Sequence, residues 1–182
     1  MEDTKTLTFP LDPQSEKFIT LALFTNVKNT AEIRDKLLSG ELRCCLLKPA
    51  LIIDPFQVAV AANKAVCAEM FGDLVTKSVF TETLYNLSIT KSISKALNLF
   101  GSVDNDTDIM VGLIHKDGAQ EAGMKSILEL IQGEQVPVSR LGDFSDLEKI
   151  QKIYKINETE LQVSTLVDSI ATRISVKDFV SF

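Results

Sequence analysis

A chain of 182 residues, 45% hydrophobic and 24% charged, is long enough to bury a core as one domain and too apolar to remain disordered. Its formal net charge of −6 excludes a broadly basic surface, so any nucleic-acid contact has to come from a local patch or from partners. No apolar run reaches the roughly 18 residues of a membrane span, and the acidic, polar start MEDTKTLTF lacks the pattern of a signal peptide, so a cytosolic or nuclear protein is expected.

In chain order, TLTF reads as a short strand-like lead followed by a proline-containing connection. FITLALF, Phe18 to Phe24, is rich in β-formers and poor in charge, as a buried central strand requires. Asn29, with Glu32 three residues on, starts a helix that Gly40 ends. After RCCLLKPALII comes DPFQVAVAANKAV, Asp54 to Val66. Asp54 is a helix cap, Pro55 suits the first helical position, Gln57 is placed to complete a capping box, and Gly72 supplies the stop. At about 100° per residue, Phe56, Ala59, Val60, Asn63, Cys67, Met70 and Phe71 share one face, with Val58, Ala62 and Ala65 roughly opposite. Reading the first set as the main apolar face buries Asn63 and predicts that its amide bonds to nearby backbone. Lys64 falls on the border, where a snorkelling lysine is expected.

Thr81 to Leu87 suits either a helix or a strand and is taken as helix. Ser92 is the expected cap of ISKALNLF, which Gly101 ends, and Asp104 to Asp108 form an acidic turn before the second buried strand, DIMVGLI. Residues 119–132 read as an amphipathic helix, and EQVPV as an edge-like strand, because Pro137 cannot donate to a ladder. Ser145 with Glu148 is expected to cap a helix through Ile150, Ile153 and Tyr154. A last helix carries Val163, Leu166, Val167, Ile170 and Ile174 on one stripe. Val176, Phe179, Val180 and Phe182 come after it, and apolar residues so placed suggest a docking surface. The elements predict an α+β fold, a single domain over 1–182, in which a small, mostly antiparallel sheet containing Phe18–Phe24 and Asp108–Ile114 is covered by helices.

Motifs for catalysis are scarce. His115 is the one histidine and directly follows an apolar strand, which makes it an ordinary strand-end residue, and no Gly-x-Ser-x-Gly elbow, Walker loop or Gly-x-Gly-x-x-Gly occurs. Three cysteines, two of them the adjacent Cys44 and Cys45, make neither a disulfide framework nor a C-x-x-C zinc pair. Asp104, Asp106 and Asp108 start like a calcium loop but lack the glycine at the sixth position and the glutamate at the twelfth. The expectation is a binding or regulatory subunit with no cofactor and no metal, not an enzyme.

KPALIIDPFQVAVAANKAV, TETLYNLSITKSISKALNLFG, IQKIYKI and TLVDSIATRISVKDF, in this order from about Val27 to Phe179, resemble the PRPK-binding protein (TPRKB) family. That family is the small kinase-binding subunit of the KEOPS complex, also called EKC. The resemblance implies a noncatalytic subunit that binds and stimulates PRPK, an atypical small kinase or ATPase. PRPK in turn contacts the subunit that transfers a threonylcarbamoyl group to the adenosine next to the tRNA anticodon. The expected location is cytoplasmic and nuclear. By position, the Asp54–Val66 helix and Leu166, Ile170, Arg173 and Phe179 become the candidate kinase-facing residues. Archaeal relatives help hold the 3′ end of tRNA, which makes Lys64, Lys77, Lys91 and Lys95 candidate tRNA contacts. Relatives carry several basic residues where GDLVTKS here offers only Lys77. A direct tRNA-binding module would gather these four lysines on one exposed face.

Overall fold

Strand β2 (Lys17–Thr25) points Ile19, Leu21 and Leu23 into one apolar cluster and Ala22 and Phe24 into another, so the sheet built on it is covered on both faces. The computed structural model describes residues 5–116 and 120–181. Strand order is β1 (Thr6–Pro10), β2, β4 (Ile109–Lys116), β3 (Cys45–Leu47), and every pairing is antiparallel. The two runs read as central strands lie side by side, in register from Phe18↔His115 to Phe24↔Ile109. The short β5 (Glu134–Val136) pairs with the end of β2, from Leu23↔Val136 to Thr25↔Glu134, and Pro137 comes directly after it. This is the expected α+β fold with an antiparallel sheet.

One layer holds α1 (Thr30–Ser39) and α5 (Gln120–Leu130), which pack Ile33, Met124 and Ile127 on Phe24, Leu46, Ile109 and Val111. The other holds α2 (Pro55–Phe71), α3 (Val79–Leu87), α4 (Ile93–Phe100), α6 (Leu147–Tyr154) and α8 (Leu166–Val176). They bring Val58, Val66, Leu87, Phe100, Tyr154, Ile170 and Ile174 onto Ile19, Leu21, Leu23, Leu47 and Met110. Each such side chain contributes about 1.5–3 kcal/mol when fully buried, so this layer carries most of the apolar driving force. The one-turn α7 (Glu158–Leu161) links α6 to α8 and leaves Val163 exposed outside the last helix.

Helix ends are where the expected chemistry shifts. Gly40 and Gly72 stop α1 and α2 with φ of 81° and 75°, the left-handed conformation that glycine adopts without strain. Asn29 stands at the start of α1 without capping it. Its Nδ2 instead donates to Leu130 O at 2.9 Å and its Oδ1 accepts from Gln132 N at 2.9 Å, tying α1 to the α5–β5 connection. Ser145 is likewise not the cap of α6: Asp146 Oδ1 accepts from Lys149 N at 3.0 Å, while Ser145 Oγ donates to Ile52 O at 2.6 Å. Thr81–Leu87 is helical within α3, which Ser78 and Thr81 begin with a reciprocal capping box. Ser92 precedes α4 but makes no capping bond.

The face of α2 is reversed from the sequence reading. Its buried residues are Gln57, Val58, Ala59, Ala61, Ala62, Ala65 and Val66, whereas Phe56, Met70 and Phe71 are exposed and Val60, Asn63 and Cys67 are half-buried. Alanines let α3 approach closely, so small residues rather than bulky ones mark the packed side. Asn63 is therefore not the buried amide. Asn86 of α3 is: it is 3% exposed, and its Nδ2 donates to Ala61 O at 3.3 Å. Asp54 caps α2 by accepting from Phe56 N at 2.8 Å, but Gln57 accepts from Ile53 N at 2.9 Å, one residue before the expected capping-box donor.

Candidate partner-binding surface

The apolar stripe of α8 divides between core and surface. Ile170 and Ile174 are 0% exposed, and Leu166 is half-buried against the same cluster, so Ile170 is a core residue rather than a surface one. Arg173 is held within the chain. Its guanidinium donates to both Glu160 oxygens, Nη1 to Oε1 at 2.6 Å and Nη2 to Oε2 at 2.7 Å, and reaches Ser169 O and Lys155 O at 3.3 and 3.4 Å. The bidentate pair holds Glu160 well below the usual carboxylate range, at about 2. Of the four residues assigned to the kinase-facing surface, Phe179 alone is open to solvent, at 88% exposure. Phe182 lies outside the described residues.

The segment after α8 is nevertheless fixed. Lys177 is 0% exposed, and its Nζ donates to Tyr85 O while lying 3.2 Å from the Tyr85 ring centroid. Lys64 of α2 donates to Ile174 O at 3.0 Å and to Asp178 Oδ2 at 2.7 Å. These bonds hold Asp178, the residue before Phe179, to α2. Lys64 lies on α2 between the exposed Phe56 and Phe71 and ties that helix to the segment after α8.

The four lysines assigned to tRNA differ in exposure. Lys64 is half-buried and ion-paired, whereas Lys77, Lys91 and Lys95 are exposed. Lys77 precedes α3 and Lys91 lies beyond its far end; nine helical residues separate two such ends by about 13 Å. Lys91 instead lies within electrostatic reach of Lys177, next to Lys64.

The groups with the chemistry for catalysis have structural partners. His115 Nε2 shares a 2.9 Å hydrogen bond with Thr20 Oγ1, and its ring stacks on Phe18. Asp106 accepts from Val103 N at 2.7 Å, Asp108 from Thr25 Oγ1 at 2.6 Å, and Asp104 pairs with Arg34. Burial pushes the Cys44 thiol up to about 12 and raises that of Cys45 as well. Among the described residues no three His, Cys, Asp or Glu side chains are grouped to hold a metal ion, and no helix is long and apolar enough to cross a membrane. A separate cleft of about 430 Å³ opens between α1, α3 and α4, lined by Leu37, Leu42, Phe80, Leu84 and Leu97, and it contains none of the eight candidate residues.

An exposed apolar segment braced by buried and ion-paired lysines suits a module whose ligand is another protein, and comparison places the chain in that class. The family described as Kinase binding protein CGI-121 matches residues 24–178, so the chain belongs to it. It is similar to the EKC/KEOPS complex subunit TPRKB of Danio rerio, 36% identical over 172 residues, which cover 94% of this chain and 98% of the relative. It is also similar to the EKC/KEOPS complex subunits CGI121 of Yarrowia lipolytica (26% identical, 81% of this chain and 85% of the relative) and Candida glabrata (27%, 85% and 92%).

The sequence reading missed Lys177, Glu160 and Asn86, and it named Gln57 and Tyr154 without the buried hydrogen bond between them. Only Asn86 carried a local signal, an amide between the apolar positions Leu84 and Leu87 of a helix.

Proposed function

We propose that the chain is a noncatalytic regulatory subunit of an EKC/KEOPS-type complex. It binds and stimulates a PRPK-type atypical kinase directly, and through it meets the other subunits, the threonylcarbamoyl transferase included. In this way it supports formation of threonylcarbamoyl-adenosine next to the tRNA anticodon, in the cytoplasm and the nucleus. The observation that carries the reading is Phe179, 88% exposed on a segment whose preceding residues are anchored. Aromatic side chains, Phe among them, are enriched at protein–protein interfaces relative to the rest of the surface. Phe56 and Phe71 are further exposed apolar residues on α2, the helix that Lys64 ties to this segment, and family membership supplies the class of partner.

Direct binding of the tRNA 3′ end has less support, since Lys64, one of its four candidate contacts, is already engaged by Asp178. The test is the ATPase rate of a purified PRPK-type kinase with and without the chain, alongside size-exclusion chromatography of the mixture. Co-elution with a raised rate is expected. Separate elution with an unchanged rate refutes the proposal.

A further inference from the structure

We infer that Lys177 is a positioning residue: with the Lys64–Asp178 pair it holds the segment 178–181 in the conformation that presents Phe179 and Val180 to a protein partner. The inference rests on the proposed function for the identity of that partner.

A lysine is almost never fully buried unless its charge is answered, because desolvating an ammonium is costly and a methionine of similar reach would fill the same space at no electrostatic cost. Here the charge is answered by one helix end. Tyr85 O belongs to the last turn of α3, where the carbonyls carry the negative end of the helix dipole, and the Tyr85 ring presents its face to the same ammonium. Lys64 does the reciprocal job, donating from α2 to Ile174 O in the last turn of α8. Each lysine thus caps a helix other than its own, Lys64 capping α8 and Lys177 capping α3.

The neighbouring residues 177 and 178 are held from two directions, one side chain running under α3 and the other to α2. Phe179 N and Val180 N then donate to Val176 O at 2.9 and 3.0 Å, a closed turn that leaves the Phe179 ring outside. Lys64 from α2, Glu82 from α3, Lys91 from the α3–α4 connection and Asp178 all face the Lys177 ammonium, two cations against two anions, so no single counter-ion fixes it. Packing alone does not call for a charge here, whereas aiming the next two residues does.

The test uses the whole chain and two readouts. In the isolated protein, Lys177→Met is expected to speed hydrogen exchange of the Phe179 and Val180 amides about tenfold or more, with the Ile170 and Ile174 amides unchanged. In titrations with a purified PRPK-type kinase, Lys177→Met is expected to weaken binding about tenfold, and to add nothing further in a Phe179→Ala background. Should Lys177→Met lower global stability, Asp178→Ala removes the acceptor of the Lys64 arm while keeping the Lys177–Tyr85 bond, and is expected to raise the same two exchange rates. Unchanged exchange in both variants overturns the inference whatever the kinase does. Losses that simply add with Phe179→Ala overturn it as well, since Lys177 would then act elsewhere. No binding by the wild-type chain refutes the proposed function and leaves the exchange result to decide whether the segment is held by Lys177.

Discussion

The Gln57 carboxamide donates from Nε2 to the Tyr154 hydroxyl at 2.9 Å, and that hydroxyl donates onward to Leu87 O, joining the first turn of α2, the end of α6 and the end of α3 through one buried oxygen. Tyr154 is 0% exposed, and burial raises its pKa, so the phenol stays protonated and keeps its donor role. Tyr154→Phe leaves Leu87 O and Gln57 Nε2 short of a partner. The expected loss is about 1–3 kcal/mol. Urea denaturation should show a lower midpoint with an unchanged m value.

Two asparagines separate burial from sequence pattern. Asn86→Leu removes the buried donor from α3 to Ala61 O of α2, and is expected to cost about 1–3 kcal/mol. Asn63→Leu, on the half-exposed side of α2, should change stability by no more than about 0.5 kcal/mol. Parallel thermal melts decide it, and equal losses would return Asn63 to the interior.

The contrast shows how far the sequence was legible. FITLALF and DIMVGLI could be read as buried strands of one sheet because a strand buried on both faces has to be continuously apolar, whereas their direct pairing could not. The ends of α1 and α2 could be read from Gly40 and Gly72, where a left-handed residue terminates the helix. The packed face of α2 could not, because its alanines become informative only once α3 is known to lie against them. Nor could Lys177 or Gln57, whose partners Tyr85 and Tyr154 lie 92 and 97 residues away in the chain. Ile170 lay on the stripe expected to reach a partner and instead completes the core, since a stripe in sequence does not say which body covers it.

Acid should loosen the α7–α8 junction. Glu160 is held at about 2, below its ordinary 4.5, by hydrogen bonds from Arg173. A carboxylate whose folded pKa is depressed contributes stability that is present above the unfolded value and is lost as pH falls through the folded one. Glu160→Gln is therefore expected to remove part of the decline between about pH 4.5 and 2 while leaving the protein less stable at pH 7, as read from denaturation midpoints across that range.

On the alkaline side two groups act in opposite directions. Burial, and next the charge of Lys64, pull Lys177 down from 10.5 to about 8. The unfolded chain then binds more protons than the folded one between those values, so this group adds stability as pH rises through the window. Cys44 is pushed from 9.0 up to about 12, so its folded form keeps a proton that the unfolded chain loses, and its contribution falls as pH climbs from about 9. Lys177→Met should flatten the stability profile between about pH 8 and 9, and Cys44→Ala should lessen the decline above about 9. Guanidinium midpoints at half-unit pH steps separate the two.

The most direct test of the proposed kinase-facing surface is a calorimetric titration of a purified PRPK-type kinase with the wild-type chain, Phe179→Asp and Leu38→Asp. Phe179 is 88% exposed and follows Asp178, which is bonded to α2, whereas Leu38 is 80% exposed on α1, in the layer across the sheet. Both variants should keep the native circular dichroism spectrum, unlike Ile170→Arg, which places a charge in the core and is expected to unfold. Loss of an apolar interface anchor costs on the order of 2 kcal/mol, so Phe179→Asp is predicted to weaken binding roughly thirtyfold or more, with Leu38→Asp unchanged. Equal affinity for Phe179→Asp and wild type, or a loss confined to Leu38→Asp, would contradict the account.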